Sequence, residues 1–399
     1  MKMAGRTDRL GSESAFEAGA RAHALRDAGR DIISLHIGEP DFETPANIVE
    51  AARRALADGQ THYAPPLGVP AFREAIAADF SRRHGVEVSS DRVVVTPGAK
   101  PVMSFALMAL VEPGDEVILP DPGFPIYGSM TRFMGATPVP IPLRMENEFR
   151  LDLDELRALV SPRTRMLIIN SPHNPTGSML TQHDLEGIAA IAMAHDLVVL
   201  ADEIYGRLVH EGEHHSILAI EGMAERTIVL DGLSKTYAMT GWRLGWGILP
   251  PPLVPVFERL LINTVSCTAT YAQAAGAEAL LGPQDAVEAM AAEFRARRSL
   301  LVDGLAALPG VRVLMPPGAF YAFPDVRDTG LSGAAMADRL LTEAGVCLLP
   351  GTAFGRIATS SLRVSYANSQ VNLRRALDRM ARFLADAVDG AGPGARALR

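Results

Sequence analysis

From about residue 45 to about residue 285, short and wholly apolar runs alternate with longer helix-like runs. No other feature restricts the possible folds as strongly. The strand candidates are Val93–Thr96, Glu116–Leu119, Met166–Asn170, Leu197–Ala201, Thr227–Leu230 and Leu244–Ile248. Each is rich in Val, Ile or Leu, and several are apolar at consecutive positions, as strands covered by helices on both faces should be. Helix-like runs such as Pro101–Val111, Thr181–His195 and Thr270–Leu281 lie between them. The expected architecture is therefore α/β, with a mostly parallel sheet flanked by helices.

After Asp285 a long helix is expected through roughly Leu305. Beyond it, Val311–Met315, Ala319–Pro324, Val346–Leu349 and Leu362–Ser365 alternate with single helices. That texture suits a smaller α+β domain built from N- and C-terminal segments. The expected division is 1–45 as the N-terminal segment of the small domain, 46–285 as the large domain and 286–399 as the C-terminal small domain. The tail after Asp389 reads as disordered.

Length and composition exclude several classes. A chain of 399 residues, 48% hydrophobic, builds a sizeable core without disulfides or metal clips. The net charge of −8, without a basic stripe, argues against nucleic acid. Prolines and charges interrupt every apolar run, so no membrane span is expected. The first residues lack the apolar core of a signal peptide, and Cys267 and Cys347 read as two buried thiols in a reducing compartment; cytoplasmic location is the expectation.

Arginine is abundant, whereas lysine occurs only at positions 2, 100 and 235. Lysine-dependent chemistry therefore has few places to reside. Open α/β sheets bind ligands where strands end, and reading only those positions yields a set. Pro97-Gly98-Ala99-Lys100 precedes a helix, whose free amides favour an anion, although a plain tight turn would look the same. Ser171 to Gly177 places prolines on either side of His173-Asn174. Asp202 ends an apolar strand, as a functional carboxylate or as half of a buried ion pair with arginine. Ser234-Lys235-Thr236 follows another strand; a lysine there is a nucleophile if it is desolvated and a plain surface residue if it is not.

These segments are similar, in order, to the motifs of the class I and II aminotransferases, pyridoxal-phosphate enzymes of fold type I. The resemblance runs from about Ile32 to about Phe383. It rests on GEPDF at Gly38–Phe42, YAPPLG at Tyr63–Gly68, PGAK at Pro97–Lys100, DPGFPIY at Asp121–Tyr127, NSPHNPTG at Asn170–Gly177, DEIY at Asp202–Tyr205, SKTYAMTGWRLG at Ser234–Gly245 and LRVSYA at Leu362–Ala367.

The resemblance implies a role for each matched residue. Lys235 carries the cofactor as a Schiff base and shuttles protons. Asp202 faces the pyridine nitrogen, Asn174 and Tyr205 the phenolic oxygen, and Phe124 the ring face unless it is simply core. Ser234, Arg243 and the backbone of Gly98, Ala99 and Lys100 hold the phosphate. Tyr63 reaches the phosphate of a neighbouring subunit, which implies a homodimer with shared active sites. Arg363 clamps the substrate α-carboxylate bidentately, with a backbone contact from Gly38.

The implied reaction carries the amino group of an L-amino acid to a 2-oxo acid, 2-oxoglutarate or pyruvate. A carbon–sulfur β-lyase of the same fold would use the same residues. A silent ligand-binding relative is disfavoured by the complete set, and a nicotinamide dehydrogenase by the lack of G-x-G-x-x-G after a strand. Lys100 is a candidate for recognising acidic side chains, while His36 and His173 read as structural. No metal is expected: His210 to His215 (HEGEHH) reads as a solvated turn.

Overall fold

A computed structural model describes residues 1–389 of the chain; the tail expected to be disordered lies outside the described residues. Strand β1 (Ile33–Ser34) precedes the seven strands of the main sheet. These are β2 (Val93–Pro97), β3 (Glu116–Asp121), β4 (Thr137–Pro142), β5 (Thr164–Asn170), β6 (Val198–Asp202), β7 (Thr227–Gly232) and β8 (Leu244–Ile248). Their spatial order is β2-β8-β7-β6-β5-β3-β4. Neighbours pair in parallel except β8, which runs antiparallel to both β7 and β2. The expected mostly parallel sheet is present, and all six strand candidates lie in it.

The strand that sequence reading passed over is β4, with sequence TPVPIP. Its three prolines lack the amide donors of a two-sided ladder. It forms because it sits at the sheet edge, paired only with β3. In the helix Gln182–Ala194, Thr181 caps the start and exchanges hydrogen bonds with Asp184 in a capping box.

The C-terminal elements follow a helix at Asp285–Ala306. Strands β9 (Tyr321–Ala322), β11 (Leu349–Pro350) and β12 (Leu362–Ser365) form an antiparallel sheet ordered β11-β12-β9. Strand β10 (Val346–Cys347) pairs in parallel with β1, so residues near the N-terminus do join C-terminal ones. The segment Val311–Met315 is no strand; it contributes one bridge, Arg312 to Asp325. One buried apolar cluster runs without a break from Leu200 and Ile228 on the main sheet to Phe294, Phe320, Val364 and Leu373. This continuity holds the C-terminal segments against the ends of β5, β6 and β7.

Both cysteines are free. Cys347 is buried as expected, and burial pushes its thiol up to about 11. Cys267 is only half-buried, because it lies in a surface hollow beside Tyr63 and Tyr271. Among the described residues, no helix is long and apolar enough to cross a membrane.

Candidate active site

The carboxyl ends of β5, β6 and β7 open into a cavity of about 390 Å³, within the range of small-molecule sites. Parallel strands direct their ends to one edge, so Asn170, Asp202 and the turn after Gly232 arrive there together. Asn170 pairs with Asp202 in the ladder. Its side-chain amide donates to the Asp202 carbonyl at 2.8 Å, while its Oδ1 accepts from the Asn174 amide at 2.8 Å. Asn170 thereby ties the proline-flanked loop to β6; both Ser171-Pro172 and Asn174-Pro175 are cis.

Asp202 is buried. Its Oδ2 accepts from the Tyr127 hydroxyl at 2.6 Å, and its Oδ1 from the Ile204 amide at 3.2 Å. Burial raises its carboxyl to about 6, opposed by the Tyr127 hydroxyl, the Ile204 amide and the charge of Lys235. Lys235 donates from Nζ to the Gly38 carbonyl at 2.6 Å. Desolvation lowers its ammonium to about 8; Glu39 opposes this, while Arg363, Lys100 and Arg243 reinforce it. A buried acid and a half-buried, desolvated amine are thus brought towards neutral pH in one cavity, the pattern of acid–base sites.

At another wall, β8 presses on the turn before the helix Lys100–Leu110. A Cβ at Gly245 would lie 2.4 Å from the Ala99 amide nitrogen, and one at Gly98 would lie 2.1 Å from Arg243 Nη2. Gly98 has φ +84°, and Arg243 itself is left-handed at φ 56°. Only a bare backbone lets the guanidinium reach the amides of this helix start. Arg243, Ser234 and Ala99 line the cavity together, so cation, hydroxyl and helix N-terminus face one space. Such a corner suits a phosphate.

Arg363 on β12 enters from the opposite side. Its Nη1 donates to Asn174 Oδ1 at 3.1 Å, and its Nη2 donates to the His36 carbonyl. The guanidinium lies 4.6 Å from the Tyr321 ring centre and 4.7 Å from that of Phe354. Its buried Nε has no hydrogen-bond partner. Tyr321 shares a 2.7 Å hydrogen bond with Tyr205 and stands against Gly38, where a Cβ would fall 2.1 Å from its hydroxyl oxygen.

Of the residues singled out in sequence, Gly38, Ala99, Lys100, Phe124, Asn174, Asp202, Tyr205, Ser234, Lys235, Arg243 and Arg363 line this cavity. Gly98 abuts it through Arg243. Tyr63 does not; it is 88% exposed, in a separate hollow. Phe124 packs edge-on against Tyr127 at 5.6 Å.

Lys100 pairs with Glu13, which enters the cavity from just before the helix Ser14–Asp27, and the ammonium also lies 5.3 Å from the Phe124 ring centre. Sequence reasoning missed Glu13, Tyr127 and Tyr321. Tyr127 stood inside a quoted motif, whereas Glu13 and Tyr321 carried no signal.

His36 and His173 are buried, and burial lowers them to about 4 and about 3. Both are neutral at pH 7, and neither side chain lines the cavity. In the segment expected as a solvated turn, Glu211, Gly212 and Glu213 are exposed, but the flanking histidines are tucked in. The His210 ring bonds the Ala319 carbonyl at 2.7 Å, and the His214 side chain is only 4% exposed. The long loop folds back onto the C-terminal segment, a contact that local polarity does not reveal.

The sequence profile described as aminotransferase class I and II matches residues 30–380. The chain is 42% identical over 359 residues to the aspartate aminotransferase of Pyrococcus abyssi, covering 89% of this chain and 92% of that protein. It is also 42% identical over 368 residues to the arginine–pyruvate transaminase of Pseudomonas aeruginosa, covering 92% and 94%. The structure is similar to that of Thermus thermophilus aspartate aminotransferase with maleate, with a TM-score of 0.92 at 39% identity, covering 96% of this chain and 99% of that one.

Proposed function

The chain belongs to the class I and II aminotransferases, and on that premise we propose that its cavity binds pyridoxal 5'-phosphate and passes an amino group from an L-amino acid to 2-oxoglutarate or pyruvate. Bound there, the cofactor supplies an electron sink for the electron pair left when the substrate loses its α-proton. The single observation that carries this reading is the convergence of Lys235, Asp202, Arg243 and Arg363 on one cavity.

The residues suit the group. Arg243, Ser234 and the Gly98–Ala99 turn form a cradle that a Cβ at Gly98 would fill, and this is where a phosphate fits. Asp202, ionised above about pH 6, is the carboxylate to face a pyridinium. Tyr205 and Asn174 would donate towards a phenolic oxygen, and Phe124 would cover a ring face. Lys235, lowered to about 8, supplies a neutral amine at modest cost near neutral pH. It attaches the cofactor and afterwards moves the proton from the substrate α-carbon. Arg363 holds the α-carboxylate, pre-aligned by Asn174 and the His36 carbonyl, and so orients the α-hydrogen.

Tyr63 has no place in a single-chain site. Its exposure, with Ile262 at 53% and Val265 at 39%, supports a homodimer in which Tyr63 serves the partner's phosphate.

The decisive experiment reconstitutes the purified protein with pyridoxal phosphate and presents a panel of amino donors with each acceptor. New amino acid and new 2-oxo acid should form in equal amounts. The Lys235→Ala variant should form no covalent adduct that borohydride can trap; a trapped adduct in that variant would overturn the assignment of Lys235. Pyruvate and ammonia appearing without an acceptor would instead support β-elimination.

A further inference from the structure

We propose that His84, Glu203 and His214 form a binding site for a divalent transition-metal ion of the zinc class, separate from the cofactor cavity. His84 ends the helix Pro70–His84, Glu203 follows the last residue of β6, and His214 lies in the loop beyond it. Each offers one ligand atom, and those atoms lie within 4.8 Å of one another. Asp202 lines the cavity and its neighbour Glu203 does not. Successive side chains at a strand end point to opposite faces, which puts the two carboxylates on different sides of the sheet.

The unmet polar atoms are the strongest sign. Glu203 Oε2, His84 Nε2 and both ring nitrogens of His214 are buried without a hydrogen-bond partner. The side chains of His214 and Glu203 are only 4% and 6% exposed. Buried polar atoms left unpaired are costly. The pair cannot satisfy itself, because His214 Nε2 is 3.9 Å from Glu203 Oε2, beyond hydrogen-bond reach. One cation between them would satisfy Glu203 Oε2, His84 Nε2 and one ring nitrogen of His214 together. Ligands of a tetrahedral zinc ion are about 3.4 Å apart, given bonds of about 2.1 Å, so small side-chain rotations close the site.

The surroundings suit a metal. The Ser216 hydroxyl donates to Glu203 Oε1 at 2.6 Å and so turns Oε2 towards the histidines, as outer hydrogen bonds do at metal centres. The His84 ring packs 4.4 Å from Phe80 and 5.5 Å from His214 between ring centres. Arg83 is the nearest strong cation. It is bonded to Asp79 at 3.1 Å and faces Asp231 at 3.5 Å, while Arg207 also pairs with Asp79. Arg82, Arg83 and Arg207 are each held by a carboxylate, all three by Asp79 and Arg83 also by Asp231. Two imidazoles and one carboxylate leave a fourth position for water, and this donor set favours zinc over calcium or magnesium. Bound there, the ion would pin the end of helix Pro70–His84 to the exit of β6, next in sequence to Asp202.

The test uses the cofactor-loaded protein stripped with a chelator and then titrated with zinc chloride by calorimetry, and with cobalt(II) as an optical probe. The expected result is one ion per chain with micromolar or tighter affinity, tetrahedral cobalt absorption, and a thermal midpoint raised by several degrees. His214→Ala should weaken binding at least a hundredfold and abolish the thermal shift, while turnover at saturating cofactor stays within twofold. Should that variant not fold, His84→Asn serves the same purpose from the helix side. Absence of binding, millimolar binding only, or binding undiminished in the variant would each overturn the proposal.

Discussion

The Tyr127 hydroxyl donates to Asp202 Oδ2 over 2.6 Å inside a buried wall of the cavity. Desolvation pushes the Asp202 carboxyl up, and this hydrogen bond is the largest influence pulling it down. A hydrogen bond to a charged group contributes about 1.5–3 kcal/mol. Tyr127→Phe should therefore raise the Asp202 pKa above its present value of about 6, and the loss should be larger at acidic pH. We expect kcat/KM to fall about tenfold or more at pH 6.5 and to recover partly at pH 8.5. A pH profile decides the matter; a uniform loss across pH would assign Tyr127 to packing alone.

Gly38 and Tyr321 form a second coupled pair. A Cβ at Gly38 would meet the Tyr321 hydroxyl at 2.1 Å, and the Gly38 carbonyl accepts from Lys235. Gly38→Ala alone should cut kcat/KM by about a hundredfold, in line with the cost of displacing reacting groups by about 1 Å. Tyr321→Phe removes the colliding oxygen, so the double variant should be more active than Gly38→Ala. Strict additivity in a double-mutant cycle would count against a direct clash.

Glu13 pairs with Lys100, the cavity lysine other than Lys235. Glu13→Gln should raise kcat/KM for aspartate and glutamate relative to neutral donors by about five- to tenfold. This corresponds to about 1–1.4 kcal/mol, the scale of a partly exposed ion pair. Adding Lys100→Ala should erase the gain. An unchanged donor ranking in Glu13→Gln would remove both residues from side-chain selection.

Lys235 should make cofactor capture pH-dependent. Its ammonium is lowered to about 8, chiefly by desolvation, and only the neutral amine attacks a carbonyl. In the apoprotein the bimolecular rate with pyridoxal phosphate should rise about tenfold per pH unit below the midpoint and level off above pH 8. Glu39 holds the value up, so Glu39→Gln should move the midpoint to lower pH. Stopped-flow absorbance reads both; a rate still climbing above pH 10 would mean an ordinary solvated lysine.

The lettering of the chain by itself determined the main sheet and most of the cavity. Short apolar runs covered on both faces are recognisable because burial demands them at each strand position, and the residues at their ends fall on one edge once the strands are parallel. Strand ends on one edge bring Lys235, Asp202, Asn174 and Ser234 into one space. The apolar pattern failed at β4, whose prolines are tolerated only because the strand is at an edge. It failed again at Val311–Met315, where one bridge replaces a ladder. Tertiary structure alone decided that Glu13 reaches Lys100, that Tyr321 leans on Gly38 and Arg363, and that His84 and His214 meet Glu203. Those contacts join residues 87, 283 or 130 positions apart or on separate segments, as with Glu13 to Lys100, Gly38 to Tyr321 and His84 to His214. Local periodicity records which face a residue shows; which distant face it meets is set only when the shared core closes.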